Sequence, residues 1–316
     1  MKFKKILSIG IAENQLDSEY WNRINSLTEQ RVALLEDDPL VDKHLADADC
    51  LLVYFNKVDQ TLINKAPHLK YIGALATGVG KIDKEYAKTK GITVTNIPGY
   101  STEAVAELVF GVLLENLRDL SRAKVESKQQ RTSESGFSGR EIRGGNFGVI
   151  GLGSIGSRVA ELAKSFGANV SYWSKTRKPQ AESNGINYYE LEELLKTSDI
   201  ISVNLALNKE TENILDQDKI ALIKNGAIVI NTAPLELFDL NALEDKLKKG
   251  EITYIFDHTD PGDISDEDLI KLKQYVNCIT YPVLGYITKE ARIAKQEIFV
   301  ANMEKFLEGT SQNEVS

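Results

Sequence analysis

The residues Phe147-Gly148-Val149-Ile150-Gly151-Leu152-Gly153-Ser154-Ile155-Gly156 decide the reading of this chain. An apolar run that ends in Gly-x-Gly-x-x-Gly predicts a buried strand, a tight turn and the start of a helix. The helix is carried on by Val159, Leu162, Ala163 and Phe166, and Gly167 stops it before a second apolar run opens at Val170. Each glycine has a task in a dinucleotide site: one makes the turn, one lets pyrophosphate approach the backbone, and one lets the helix touch the strand. The helix N-terminus supplies free N–H groups and the positive end of a dipole for the phosphates. The same pattern could serve a strand–turn–helix without ligand. The strand before it and the strand after it favour dinucleotide binding through Gly151, Gly153, Ser154, Ile155 and Gly156.

The end of the second strand bears on which dinucleotide. An NAD site usually places an acid there for the ribose 2′-hydroxyl, roughly 20 residues after the glycines. Here the chain reads Tyr172-Trp173-Ser174-Lys175-Thr176-Arg177-Lys178, with no carboxylate before Glu182. Lys175 and Arg177, with the hydroxyls of Ser174 and Thr176, suit a 2′-phosphate. NADP(H) is therefore expected over NAD(H), which stays open as the second cofactor.

Outward from this centre the chain is ordinary. It has 316 residues, room for two α/β domains, and a formal charge of −8 that argues against nucleic acid. Hydrophobic residues at 42% and charged residues at 27% exclude a disordered chain. Cys50 and Cys278 form no metal or disulfide spacing, and the histidines are His44, His68 and His258. The apolar start near Met1 reads as a first strand, not a leader, and no run reaches the ~18 apolar residues of a membrane span. A soluble cytoplasmic protein is expected.

Short β-branched runs alternate with helical patterns, the mark of parallel sheets. Strands are expected at 5–11, 31–35, 50–55, 70–75 and 92–96, and again at 147–150, 169–173, 199–205, 227–231, 253–256 and 277–281. Helices are expected at 101–120 and 288–307, and the polar stretch 121–145 does not read as core.

Three longer strings carry a resemblance. Leu69-Lys-Tyr-Ile-Gly-Ala-Leu-Ala-Thr-Gly78, Gly91-Ile-Thr-Val-Thr-Asn-Ile-Pro-Gly-Tyr-Ser-Thr-Glu-Ala-Val-Ala-Glu107 and Gly139-Arg-Glu-Ile-Arg-Gly144 are specific where the glycine motif is common. With them the chain resembles the D-isomer-specific 2-hydroxyacid dehydrogenases, above all the NADP-preferring glyoxylate and hydroxypyruvate reductases. The resemblance implies an α/β fold of two doubly wound parallel-sheet domains. A flavodoxin-like substrate domain would comprise 1–100 and 286–316, and an inserted Rossmann domain 101–285. It implies a substrate loop at Thr77, Gly78, Val79 and Gly80, and a nicotinamide site lined by Thr232 and Ala233 with Asp257 on the amide. It also implies a homodimer in which the region around 115–145 wraps the partner.

The family's catalytic trio is where the chain departs. The resemblance implies an Arg for the substrate carboxylate, a His to protonate the carbonyl oxygen and a Glu to hold that His. In Asn231-Thr232-Ala233-Pro234-Leu235 the Arg slot holds Pro234, and in Tyr281-Pro282-Val283-Leu284-Gly285 the His slot holds Val283. Ungapped counting through Asp257-His258-Thr259-Asp260-Pro261-Gly262-Asp263 puts Gly262 in the Glu slot, with Asp260 and Asp263 beside it. Lys81 stands where Asn is common. Proline and valine carry no side-chain donor or acceptor, so the standard mechanism is excluded. Tyr281, Tyr286, His258, Lys81 and Lys57 are the polar candidates, each with an ordinary structural reading as strand, loop or surface residue. Two functions follow: an NADP(H)-dependent oxidoreductase with an altered site, reducing a small carbonyl or imine, or a catalytically inactive dinucleotide-binding sensor, regulator or partner subunit. No metal site is expected.

Overall fold

A computed structural model describes residues 1–257 and 266–315. Two parallel sheets organise it. The first holds β1 (Phe3–Ile9), β2 (Thr28–Leu34), β3 (Cys50–Val53), β4 (Tyr71–Ala74) and β5 (Thr93–Thr95), in the order β2-β1-β3-β4-β5. The second holds β6 (Asn146–Ile150), β7 (Asn169–Trp173), β8 (Asn187–Tyr188), β9 (Ile200–Val203), β10 (Ala227–Asn231), β11 (Ile252–Phe256) and β12 (Cys278–Thr280), in the order β12-β11-β10-β9-β6-β7-β8. The first order is that of flavodoxin; the second is the Rossmann order with one strand added at the β12 edge.

The strands are apolar on both faces because helices cover both faces, as parallel sheets require. In β3, β9 and β10 every residue is buried. By contacts the chain divides into Met1–Tyr100 with Lys289–Ser316, and Ser101–Thr288. This contact division falls at 288/289, and the family resemblance implies a domain boundary at 285/286.

Element boundaries moved. The expected 101–120 helix runs Thr102–Arg118 and breaks at Asp119, whose φ is +50°. A second helix, Leu120–Lys128, follows, so the polar stretch begins as helix. It buries no residue, which is why no core pattern is present there. The two-residue strand β8 was too short to read.

In the first unit the helix Lys289–Glu308 returns to the sheet, burying Phe299, Val300 and Met303 in the cluster that also holds Phe3 and Tyr71. An amide chain then fastens the loop after β4. Asn96 Nδ2 donates to the Thr77 carbonyl at 2.6 Å, Asn302 Nδ2 to the Asn96 carbonyl at 2.7 Å, and Asn313 Nδ2 to Asn302 Oδ1 at 2.8 Å. Asn302 is fully buried, so leaving its partners unpaired costs about 1–3 kcal/mol. Asn302→Ala is expected to lower the urea midpoint correspondingly, and to loosen the 77–80 loop as read by faster amide exchange at Thr77–Gly80.

Candidate active site

Ligands of doubly wound sheets bind beyond the carboxyl ends of the strands where the order reverses. In the second sheet that place is between β6 and β9. Gly151 ends β6 with φ +93°, and a Cβ there would stand 2.9 Å from the Asn204 carbonyl oxygen after β9. A Cβ on Gly156 would overlap the Gly151 carbonyl oxygen. A Cβ on Gly153 would meet nothing within 4 Å, so this is the open side of the turn. The helix Ser154–Ser165 starts there with Gly153 as N-cap, no acid in its first turn, and Val159, Ala160 and Ala163 buried. Ser154 is exposed and Ile155 half-buried. The turn thus offers an unblocked backbone and a helix N-terminus, which fits a pyrophosphate.

The turn after β7 is more engaged than its sequence suggests. Ser174 is buried, and its hydroxyl donates to the Thr176 carbonyl at 2.6 Å, closing the turn on itself. Arg177 lies over the Tyr188 ring, 4.8 Å from its centroid, and pairs with Glu182, its Nε donating at 3.1 Å. Lys175 pairs with Glu210. Glu182, five residues on, pairs with Arg177 locally, whereas Glu210, 35 positions from Lys175, is brought to it by folding. Nothing in the local sequence pointed to Glu210.

On the other side of the switch point lie the residues expected around nicotinamide. Thr232 is half-buried and Ala233 buried at the end of β10. Ala233 N–H donates to Asn231 Oδ1 at 3.0 Å, and Asn231 Nδ2 donates to the Tyr254 hydroxyl at 2.9 Å. Pro234 caps a short 3₁₀ helix whose Leu235 and Leu237 are fully buried. Asp257 is buried and both its oxygens accept backbone N–H groups, from Leu284 at 2.9 Å and Gly285 at 2.8 Å. That ties the turn after β12, which carries Val283, to the end of β11.

The other anchor of this turn is Tyr281. Its hydroxyl donates to Glu115 Oε2 at 2.5 Å on the helix Thr102–Arg118. Burial, then the Glu115 carboxylate, push the tyrosine pKa far above its ordinary value. Glu115 moves down, held by hydrogen bonds from Ser121 and then Tyr281. The Tyr281 hydroxyl is thus engaged by Glu115. His258 and Gly262 lie outside the described residues. Tyr286 is half-buried. Among the described residues no group of His, Cys, Asp and Glu could hold a metal, and no helix is long and apolar enough to cross a membrane.

In the first unit Thr77, Gly78 and Gly80 are exposed and Val79 half-buried, and Thr77 Oγ1 donates to the Ile97 carbonyl at 3.2 Å. The loop runs into an open depression of about 640 Å³ with Phe55, Lys57, Gly80 and Lys81 in its lining. Lys57 pairs there with Asp59 at 3.0 Å.

Residues 110–283 match the model of the D-isomer specific 2-hydroxyacid dehydrogenase NAD-binding domain. A glyoxylate reductase of Thermococcus litoralis is 39% identical over 263 residues, 80% of this chain and 78% of that protein. The chain belongs to this family. Among solved structures, the D-lactate dehydrogenase of Aquifex aeolicus complexed with NAD and lactic acid is similar with a TM-score of 0.84, 29% identity and 96% coverage of each chain. An acyclic imino acid reductase in complex with NADPH and D-Arg is similar with a TM-score of 0.85 and 29% identity, covering 99% of this chain and 100% of that one. This D-2-hydroxyacid dehydrogenase-type protein is thus an NAD(P)-dependent oxidoreductase, built for a nicotinamide dinucleotide.

The Tyr281–Glu115 bond gives a pH test in this family member. A carboxyl whose pKa is depressed on folding stabilises the fold above its unfolded value, and that contribution is lost as pH falls through the folded value. Tyr281→Phe removes one of the bonds that lower Glu115, whose ordinary value is 4.5. The variant is expected to lose about 1 kcal/mol at pH 7. The gap between variant and wild type should narrow in denaturant melts as pH drops below about 4.5.

Proposed function

We propose that the chain is an NADP(H)-dependent reductase of small imines, with an active site altered from the family's carbonyl-reducing trio. The observation that carries the reading is the pair of apolar residues, Pro234 and Val283, in the family's Arg and His slots. A ketone becomes an alkoxide when hydride reaches its carbon, so its reduction calls for a positioned acid. A protonated imine already bears its proton on nitrogen. Hydride adds to the carbon, the C=N electron pair moves to nitrogen, and a neutral amine results with no further proton required.

The charge balance points the same way. Arg and protonated His would repel a cationic electrophile, and in a water-poor site that repulsion is large. Pro234 and Val283 remove both. The bound dinucleotide supplies the hydride. The residues of this chain orient it: the 151–156 turn for the pyrophosphate, Lys175 and Arg177 for a 2′-phosphate, and the Asp257-held turn that presents Val283. The similar imino acid reductase solved with NADPH shows that a chain of this fold can act on an imine.

Two further parts of the reading concern surroundings. The region 115–145 is the proposed homodimer surface: the helix Leu120–Lys128 exposes Leu120 and Val125. Arg122, 4.0 Å from the Phe137 ring centroid and bonded to the Gly136 carbonyl at 2.7 Å, folds that arm before any partner arrives. The two free, buried cysteines suit a reducing cytoplasm.

The test is NADPH oxidation with a small aldehyde or ketone that lacks a 2-carboxylate, an amine, or both together. Turnover is expected only with the mixture, at least tenfold above either component alone, with formation of the secondary amine. Equal rates with glyoxylate or hydroxypyruvate alone would overturn the imine reading. Tight NADPH binding without turnover of any mixture would favour the inactive sensor. Pro234→Arg is expected to cut imine turnover tenfold or more while leaving NADPH affinity within twofold.

A further inference from the structure

In the second sheet β6 lies between β7 and β9. Lys175 leaves the end of β7, and Glu210 sits in the turn that follows β9. Their ion pair therefore joins the turn after β7 to the turn after β9, the strands on either side of β6.

Glu210 is not there by chance of a loose loop. Its N–H donates to Asn208 Oδ1 at 2.9 Å. The Thr211 hydroxyl donates to the Ala206 carbonyl at 2.7 Å and accepts the Asn208 N–H at 2.8 Å. Asn213, at φ +53°, fastens the turn's far end by donating its N–H to the Glu236 carbonyl at 2.7 Å. These bonds order the backbone at Glu210, while the paired side chains stay largely exposed, 76% for Lys175 and 66% for Glu210. Arg177 differs: its partner Glu182 is five residues away, accepts a bond from the Tyr172 hydroxyl at 3.0 Å, and belongs to the same local scaffold as Tyr188.

We propose that Glu210 is a cofactor-specificity residue, holding Lys175 in the free chain in the place of the 2′-phosphate. The inference rests on the NADP(H) reading above. A phosphate carries more charge than a carboxylate and accepts stronger bonds from an ammonium, so NADP(H) exchanges one partner of Lys175 for the other. The displaced carboxylate then stays within reach of the phosphate and repels it. Glu210 thereby tempers NADP(H) affinity. NAD(H), with a neutral 2′-hydroxyl, leaves the ion pair closed and meets an acceptor of the kind that the end of β7 lacks. The site's acid is supplied from β9's turn, not from β7.

The experiment compares NADPH and NADH binding by calorimetry for wild type, Lys175→Ala, Arg177→Ala, Glu210→Gln and Lys175→Ala/Glu210→Gln. An exposed ion pair contributes little, so the expected change is modest: NADPH dissociation falls about threefold to fivefold in Glu210→Gln while NADH is no tighter. The share of the gain that comes from freeing Lys175 should disappear when Lys175 is also alanine, leaving only the smaller gain from the lost repulsion. If Lys175→Ala and Arg177→Ala weaken NADPH selectively but Glu210→Gln leaves it unchanged, or tightens both dinucleotides equally, the role of Glu210 is overturned and the NADP(H) reading stands. If Lys175→Ala and Arg177→Ala leave the NADPH-to-NADH ratio unchanged, both fall.

Discussion

At the end of β6 the Gly151 carbonyl oxygen and Gly156 are in such contact that a single methyl group on Gly156 would overlap that oxygen. This backbone-on-backbone approach fixes where the helix Ser154–Ser165 begins and leaves the open side of the turn at Gly153. The second sheet is arranged around it. β9 closes on β6 until the Asn204 carbonyl meets Gly151, and β7 lies on the other side. The order reverses at this place, so no helix fills the space above the turn and the phosphates of a dinucleotide have somewhere to go.

The rest of the candidate site depends on how turns are fastened to that frame. Asp257 accepts two N–H groups from Leu284 and Gly285, and Tyr281 reaches back to Glu115. Between those anchors Val283 is held in place without bearing any chemistry of its own. Neither Val283 nor Pro234 carries a side-chain donor or acceptor. That combination favours an electrophile that arrives protonated over one that must be protonated in the site, and it gives the proposed imine chemistry its physical basis.

Much of this was legible in the residues. The glycine spacing, the apolar strands and their alternation with helical patterns told a doubly wound fold, because each follows from local backbone geometry and burial period. That Pro234 and Val283 carry no donor could also be read, since that is a property of residue type. Three things were not legible. The helix break at Asp119 depends on a left-handed residue that the apolar pattern ran through. The Tyr281 hydroxyl is engaged by Glu115, 166 positions away, which only folding brings to it. The basic turn at 174–178 looked free of carboxylates until Glu210 arrived from another strand's turn.

The sequence by itself determined the class of fold, the dinucleotide turn and the apolar character of Pro234 and Val283, for these rest on residue type and short-range spacing. Only the tertiary structure decided which charges meet. Coulomb and hydrogen-bond energies depend on distance in space, and parallel sheets place residues from distant strands side by side at one carboxyl edge. Whether Lys175 faces solvent or Glu210, and whether the Tyr281 hydroxyl is engaged, are properties of that edge and not of the chain.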